Sequence, residues 1–244
     1  ERLAAKSHVN IAFHLLHLGT WKTQRLLEIL SEHPNVSVMV YAPRMVHGDA
    51  AINRAHQKQI LDHFSAQNLP LIVASDRAEF DGFDPDLVIM NNPHRLCPEE
   101  DYGEIFDTRL CSYVPYTADV VSYGDDQSQH NQPFHHAMWR IFSPHEVSRK
   151  KFASVSARAD QNVLVTGYPG FEDLWRTGPK APQVWVTQPY PKRRIIWAPH
   201  HTITRSDLPL ATFMAYHELF QDLALRYRDE VQWAFKPHPV LKAN

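Results

Sequence analysis

The sequence predicts an α/β protein built on mostly parallel sheets covered by helices. Three observations lead there. Short apolar runs at 9–16, 36–42, 71–74, 87–91, 110–114 and 162–166 alternate with stretches of helical periodicity, the signature of strand–helix–strand units. Many of the 18 prolines stand where those runs stop, as at Pro43, Pro93, Pro115, Pro169, Pro199 and Pro237. Proline cannot donate to a sheet ladder, so strands end there and feed loops at one edge of a sheet. Finally, 244 residues of which 43% are hydrophobic suffice for one large or two modest domains with real cores.

Taken in order, 9–16 (VNIAFHLL) reads as the first strand. A helix at 24–33 follows, with Leu26, Leu27, Ile29 and Leu30 marking its apolar side. Pro34-Asn35 turns the chain into a second strand, 36–42. No GxGxxG follows the first strand, so a dinucleotide fingerprint is absent; the loop Leu18-Gly19-Thr20-Trp21-Lys22 takes its place. A long helix is expected over 50–67, then strands at 71–74, 87–91 and 110–114. Residues 125–132 (DDQSQHNQ) read as a polar loop. Residues 133–142 read as one amphipathic aromatic helix. Ser143 with Glu146 three residues on has the pattern of a capping box for a helix over 144–152. A sixth strand spans 162–166 and runs into Gly167-Tyr168-Pro169-Gly170.

The composition then changes. Residues 176–192 hold four prolines (Pro179, Pro182, Pro189, Pro191) and little periodicity, which marks a linker. It separates an N-terminal domain, 1–175, from a second one beginning at Arg193. That second domain, 193–244, offers one strand, a helix over 210–226 and a strand over 231–235. Two strands and a helix are too few to be stable alone, so it reads as the incomplete start of a domain.

The net charge of −2 argues against a protein that binds nucleic acid by neutralising phosphates over a broad face. Cys97 and Cys111 have no metal or redox spacing, which suggests a reducing compartment. No apolar stretch approaches the roughly 18 residues that cross a bilayer, and no signal peptide opens the sequence. A cytoplasmic protein is expected, with peripheral attachment at the inner face of the membrane as a variant of that expectation.

Two strand ends carry the chemistry. The run Ile195-Ile196-Trp197-Ala198 stops at Pro199 and presents His200, His201 and Thr202. The last strand stops at Lys236, followed by Pro237, His238 and Pro239. Ligands of open α/β sheets bind just beyond the carboxyl ends of strands. Lysine and histidine there suit an anion, most simply a nucleotide diphosphate. Adjacent side chains on extended chain point apart, so one of His200 and His201 faces the ligand and the other belongs to packing. His135 and His136, with Tyr116, are candidates for a general base; equally, they are ordinary histidines on an aromatic helix. His14 and His17 read as structural, and Asp125-Asp126 as a solvated acidic pair. No metal spacing is present.

Together with the opening strand and Trp21-Lys22, the blocks YVPY (113–116), RIFSPHEVSRKKF (140–152), NVLVTGYPGFEDL (162–174), IIWAPHHT (195–202) and FKPHP (235–239) resemble the CDP-glycerol:poly(glycerophosphate) glycerophosphotransferase family. These are the teichoic-acid polymerase-like transferases, with relatives in surface-polysaccharide loci of Gram-negative bacteria. The resemblance covers 9–241. It implies a GT-B architecture of two Rossmann-like domains facing across a cleft, with the C-terminal one incomplete in this sequence. Pro199, His200, His201, Thr202, Lys236 and His238 would hold the donor pyrophosphate, with Gly167 and Tyr168 at the domain junction. Trp21, Lys22 and Tyr116 would lie on the acceptor side. The family's His-Gly-Thr-Pro motif, which carries the base, is missing here. YVPYT and HNQPFHH (130–136) are its nearest substitutes, so His135, His136 and His201 are the candidate catalytic residues.

The resemblance implies transfer of glycerol phosphate from a CDP-linked donor to a growing surface polysaccharide. The donor would be a substrate; neither a cofactor nor a bound metal is expected. The partners would be a nucleotide-activated donor and a glycan or lipid-linked glycan acceptor, and no nucleic acid. Two alternatives stay open: a GT-B glycosyltransferase using a CMP-, UDP- or GDP-linked sugar in capsule or O-antigen synthesis, and a non-catalytic glycan-binding domain.

Overall fold

The computed structural model describes residues 3, 5–46, 49–120, 126–177, 185–200, 202–203 and 211–237. The chain divides into two units, Glu1–Gly178 and Pro179–Asn244. In the first, β1 (Val9–His14), α1 (Gln24–Ser31), β2 (Val36–Tyr41), α2 (Ala50–Ser65), β3 (Leu71–Ala74), α3 (Arg77–Phe83), β4 (Leu87–Met90), α4 (Glu99–Thr108) and β5 (Leu110–Tyr113) follow one another. Two short helices, α5 (Gln127–His130) and α6 (Pro133–Ala137), lead to β6 (Arg140–Ser143), α7 (Glu146–Val155), β7 (Val163–Val165) and α8 (Glu172–Thr177).

The seven strands form one sheet in the order β3-β2-β1-β4-β5-β6-β7, and every pairing is parallel. The chain winds outward from β1 to β3. It then returns to lay β4 on the other side of β1, which makes the β1/β4 boundary a topological switch point. Period-two alternation sorts the side chains. Ile11, Phe13, Val38, Val40 and Ile89 meet Leu27 of α1 and Ile60 and Phe64 of α2 on one face. Ala12, Met39, Tyr41, Val88 and Met90 meet Phe80, Tyr102, Ile105, Phe134 and Phe152 on the other. Burial on both faces explains why the central strands read as unbroken apolar runs. Cys97 and Cys111 are buried in the second of these layers; burial pushes both thiols up to about 12.

The structure departs from the sequence reading in three places. Residues 133–142 are not one helix: α6 ends at Ala137 and β6 begins at Arg140. Phe134, Met138 and Ile141 fit a helical spacing, but β6 is fixed by parallel pairing with β5 and β7. Ser143 does not cap α7, because it is still paired in the strand with Val165. The cap is His145, whose Nδ1 accepts from the Ser148 N–H at 3.0 Å while its Nε2–H donates to the Ala118 carbonyl at 2.9 Å. Finally, part of the polar stretch 125–132 folds as α5.

In the second unit, β8 (Arg193–Trp197) and β9 (Val231–Phe235) pair in parallel around α9 (Phe213–Arg226). Trp197 joins them: its ring lies 5.2 Å from Phe213, 4.8 Å from Phe220 and 5.3 Å from Phe235. Among the described residues, no helix is long and apolar enough to cross a membrane.

Asp86 ties the start of β4 to the start of β1. Its Oδ2 accepts from the Asn10 N–H at 3.0 Å, its own N–H donates to the Asn10 carbonyl at 2.8 Å, and it pairs with Lys6. Asp86→Ala strips that part-buried amide of its side-chain acceptor. The unfolding free energy in urea titrations is expected to drop by about 1–3 kcal/mol with the slope unchanged.

Candidate functional site

All loops that leave the carboxyl ends of the seven strands lie along one edge of the sheet. A cavity of about 630 Å³ opens there within the first unit. Lys22, Thr23, Arg25, Leu26 and Ile29 bring in the start of α1. Val114 follows β5, Phe142 lies in β6, and Thr166, Gly167 and Tyr168 follow β7. Phe171, Glu172 and Trp175 close the far side.

Local sequence explains each wall. Trp21 is a wedge: its indole meets Phe13 at 5.4 Å and Phe64 at 4.9 Å, both edge-on, and its Nε1–H donates to Gln24 Oε1 at 2.9 Å. It anchors the turn into α1 and leaves Lys22 at the cavity. Lys22 Nζ donates to the Gly19 carbonyl at 3.0 Å. Gly167 adopts a φ of +93°, a left-handed conformation that glycine takes without steric cost; it turns the chain from β7 across the edge. The Tyr168 hydroxyl then donates to the Tyr116 carbonyl at 2.7 Å. Gly170 is needed for a different reason, since a methyl there would sit 2.6 Å from the Tyr168 ring. Ion pairs link α8 to α1: Arg176 with Glu28 at 3.4 Å and Arg25 with Glu172 at 3.9 Å.

Four sequence-predicted residues therefore gather here. Lys22, Gly167 and Tyr168 line the cavity and Tyr116 is bonded to its wall, whereas Trp21 is committed to packing. Reading the sequence alone misses Thr23, Arg25, Glu172 and Trp175, whose proximity follows only from the strand order.

The histidines of α6 divide. His135 is 1% exposed, set among Phe134, Phe152 and Tyr113. Its Nδ1 accepts from the Gln132 N–H at 3.1 Å, so the hydrogen sits on Nε2, which is buried without a partner. The candidacy of His135 as a general base is corrected: the side chain belongs to the core. His136 is half-buried and its Nε2–H donates to Asn131 Oδ1 at 2.8 Å.

His130, the last residue of α5, has a role the sequence did not suggest. Its Nε2 lies 3.0 Å from Asp119 Oδ2 and its Nδ1 lies 3.1 Å from the Asp126 carbonyl. Both partners are acceptors, so each ring nitrogen faces an oxygen. Lys151 Nζ is 3.5 Å from both carboxylates. Burial pushes the Asp119 carboxyl up, but hydrogen bonds from His130 and Ser148 outweigh it and hold the group below its usual range. The cluster fixes Asp119 at a φ of +48°.

In the second unit, the Lys236 N–H donates to the Trp197 carbonyl at 2.9 Å, which sets the ends of β8 and β9 side by side. Just past β8, Pro199 is half-buried and His200 exposed. His200 Nδ1 lies 2.9 Å from the hydroxyl of Thr202, itself buried. Lys236 is exposed. His201 and His238 lie outside the described residues, as does Asp125.

No known family profile and no curated protein matches the chain. Solved structures do. A Listeria monocytogenes protein assigned as a UDP-N-acetylglucosamine 2-epimerase aligns with 97% of this chain at 13% identity and a TM-score of 0.62. The S. aureus MnaA–UDP complex aligns with 97% at 12% identity and 0.59. The wall teichoic acid polymerase TagF aligns with 100% at 11% identity and 0.55. The chain spans 65%, 65% and 59% of their respective lengths. At such identities the likeness establishes the fold, the Rossmann-like α/β plan of GT-B proteins.

Burial holds His14 and His135 neutral, pushing their pKa values from 6.5 to about 4 and about 3. Above pH 6.5 each is neutral whether folded or unfolded, and the folded state is not penalised. Below it, the unfolded chain takes up protons that the native core refuses, so stability falls as pH falls toward the folded values. The expected loss is on the order of 1 kcal/mol per pH unit for each group. Urea titrations from pH 7 to pH 5 measure it, and His14→Asn should flatten the slope; a level profile in the native sequence would contradict the neutral burial.

Proposed function

We propose that the chain is part of an enzyme that moves a group from a nucleotide-activated donor onto a cell-surface polysaccharide, with glycerol phosphate from a CDP-linked donor as the first candidate. The observation that carries the reading is the juxtaposed ends of β8 and β9, where the Lys236 N–H meets the Trp197 carbonyl at 2.9 Å. That bond puts a lysine and the Pro199-His200 segment at one carboxyl edge of a parallel pair, the place where α/β sheets hold anionic ligands. Lys236 would act as a point charge on the pyrophosphate. His200 would donate from Nε2, its Nδ1 being turned to Thr202. His201, Thr202 and His238 complete the proposed donor set. His136 and His201 remain the candidates for the base, and Lys22 and Tyr116 for the acceptor side. Support comes from the fold neighbours, which include MnaA with UDP and a TagF variant soaked with CDPG.

A second reading is favoured by the Listeria protein assigned as an epimerase, which aligns at the higher TM-score of 0.62: conversion of a UDP-linked sugar with no acceptor. The two differ in product. A transferase releases nucleotide only when acceptor is present, while an epimerase changes the donor on its own.

Calorimetry with CDP-glycerol, a CMP-sugar and UDP-N-acetylglucosamine tests the shared premise. One of them should bind, and Lys236→Met should weaken it about 10- to 100-fold, as loss of a charge-assisted contact does. Heat from none of the three would refute a nucleotide donor.

A further inference from the structure

The cavity at the carboxyl edge of the first unit has a polar end and an apolar end, and neither is explained by packing. At the polar end, α1 begins without a side-chain cap and without an acidic residue in its first turn. Its first amide N–H groups therefore face outward with the positive end of the helix dipole. Thr23 stands at the cap position, yet its φ of −113° and ψ of 28° turn the hydroxyl away from capping. The side chain is 1% exposed, lines the cavity, and its Oγ1 has no hydrogen-bond partner. A buried hydroxyl left unpaired costs free energy, so its retention there points to a ligand atom. Lys22 spends one N–H on the Gly19 carbonyl and has two more to give. Arg25 is already taken by Glu28 and Glu172, which leaves Lys22 as the cation at this end that is unmatched by a carboxylate among the described residues.

The opposite wall is apolar and open. Ile29, Phe171 and Trp175 all line it, and they are 49%, 51% and 87% exposed. An indole so exposed beside a second aromatic ring and an aliphatic side chain suits a hydrocarbon surface.

We propose that this cavity binds a phosphate ester of an apolar alcohol, with the phosphate at Thr23, Lys22 and the start of α1 and the chain along Ile29, Phe171 and Trp175. The phosphate end is the kind of anion that a helix N-terminus holds. The apolar end selects a lipid-linked phosphate over a free one. Calling this ligand the acceptor rests on the transfer reading above; the binding itself does not, and it is measured without any donor.

The test is a titration of the full chain with n-octyl phosphate, inorganic phosphate and n-octyl glucoside, each below micelle-forming concentration, followed by calorimetry. Octyl phosphate should bind at least about tenfold more tightly than inorganic phosphate, because chain burial adds to the head-group contacts. Octyl glucoside should bind far more weakly than octyl phosphate. Thr23→Val keeps the shape of the buried side chain and removes its hydroxyl; Lys22→Met removes the charge. Each should weaken octyl phosphate about three- to tenfold. Trp175→Ala should weaken octyl phosphate and leave inorganic phosphate unchanged. Equal binding of the two phosphates, with no effect of Trp175→Ala, would overturn the apolar half and leave a free-phosphate site. Equal binding of octyl phosphate and octyl glucoside, or indifference to both Thr23→Val and Lys22→Met, would overturn the proposal. Loss of CDP-glycerol binding alone would bear on the donor reading and not on this one.

Discussion

Parallel pairing is the constraint on which the rest of this molecule depends. Seven strands run the same way, so every strand delivers its following loop to one edge and every helix must carry the chain back across a face. Both faces are then covered, and neither is available to a ligand. The carboxyl edge is what remains. Residues as distant in sequence as Lys22, Val114 and Tyr168 meet there because their strands end in step. The two-stranded pair of the second unit obeys the same rule, with Lys236 delivered beside Trp197.

Within that frame, burial decides what each histidine is. His14 lies against Tyr41 and Tyr102 in the core and stays neutral down to about pH 4. His135 does the same among aromatic rings. His145 is spent on a helix cap and a carbonyl. His130 takes a third course, with an acceptor oxygen against each ring nitrogen. At the end of β8, where the chain is open, His200 combines exposure with a strand-end position. A count of 16 histidines thus conveys little about chemistry until their surroundings are known.

Much of the fold was legible because its signals are local. The strands at 71–74, 87–91 and 110–114 stand out as apolar runs, and the structure places β3, β4 and β5 there within a residue. The errors arose where a local signal served two geometries. Phe134, Met138 and Ile141 satisfy a helix period, but Ile141 is committed to a strand between two neighbours. Ser143 resembles a cap until the ladder claims it. The cavity was not legible for another reason: Thr23 and Trp175 carry no motif, and what makes them notable is an unpaired hydroxyl and an exposed indole brought to one place. The exits of β8 and β9 were readable because proline marks both.

The far wall of the cavity is joined to the near one by charge. The links between α8 and α1 are Arg176–Glu28 and Arg25–Glu172, and all four side chains reach solvent. Such pairs weaken as counter-ions accumulate, over a range of about 10 Å at 0.1 M salt. Burial of the exposed apolar surface of Trp175 and Phe171, by contrast, is favoured in salting-out conditions. Ionic strength therefore acts on the cavity in two opposing ways, loosening its frame while favouring its apolar lining. Frame and lining of the cavity thus answer to the surrounding electrolyte in opposite senses.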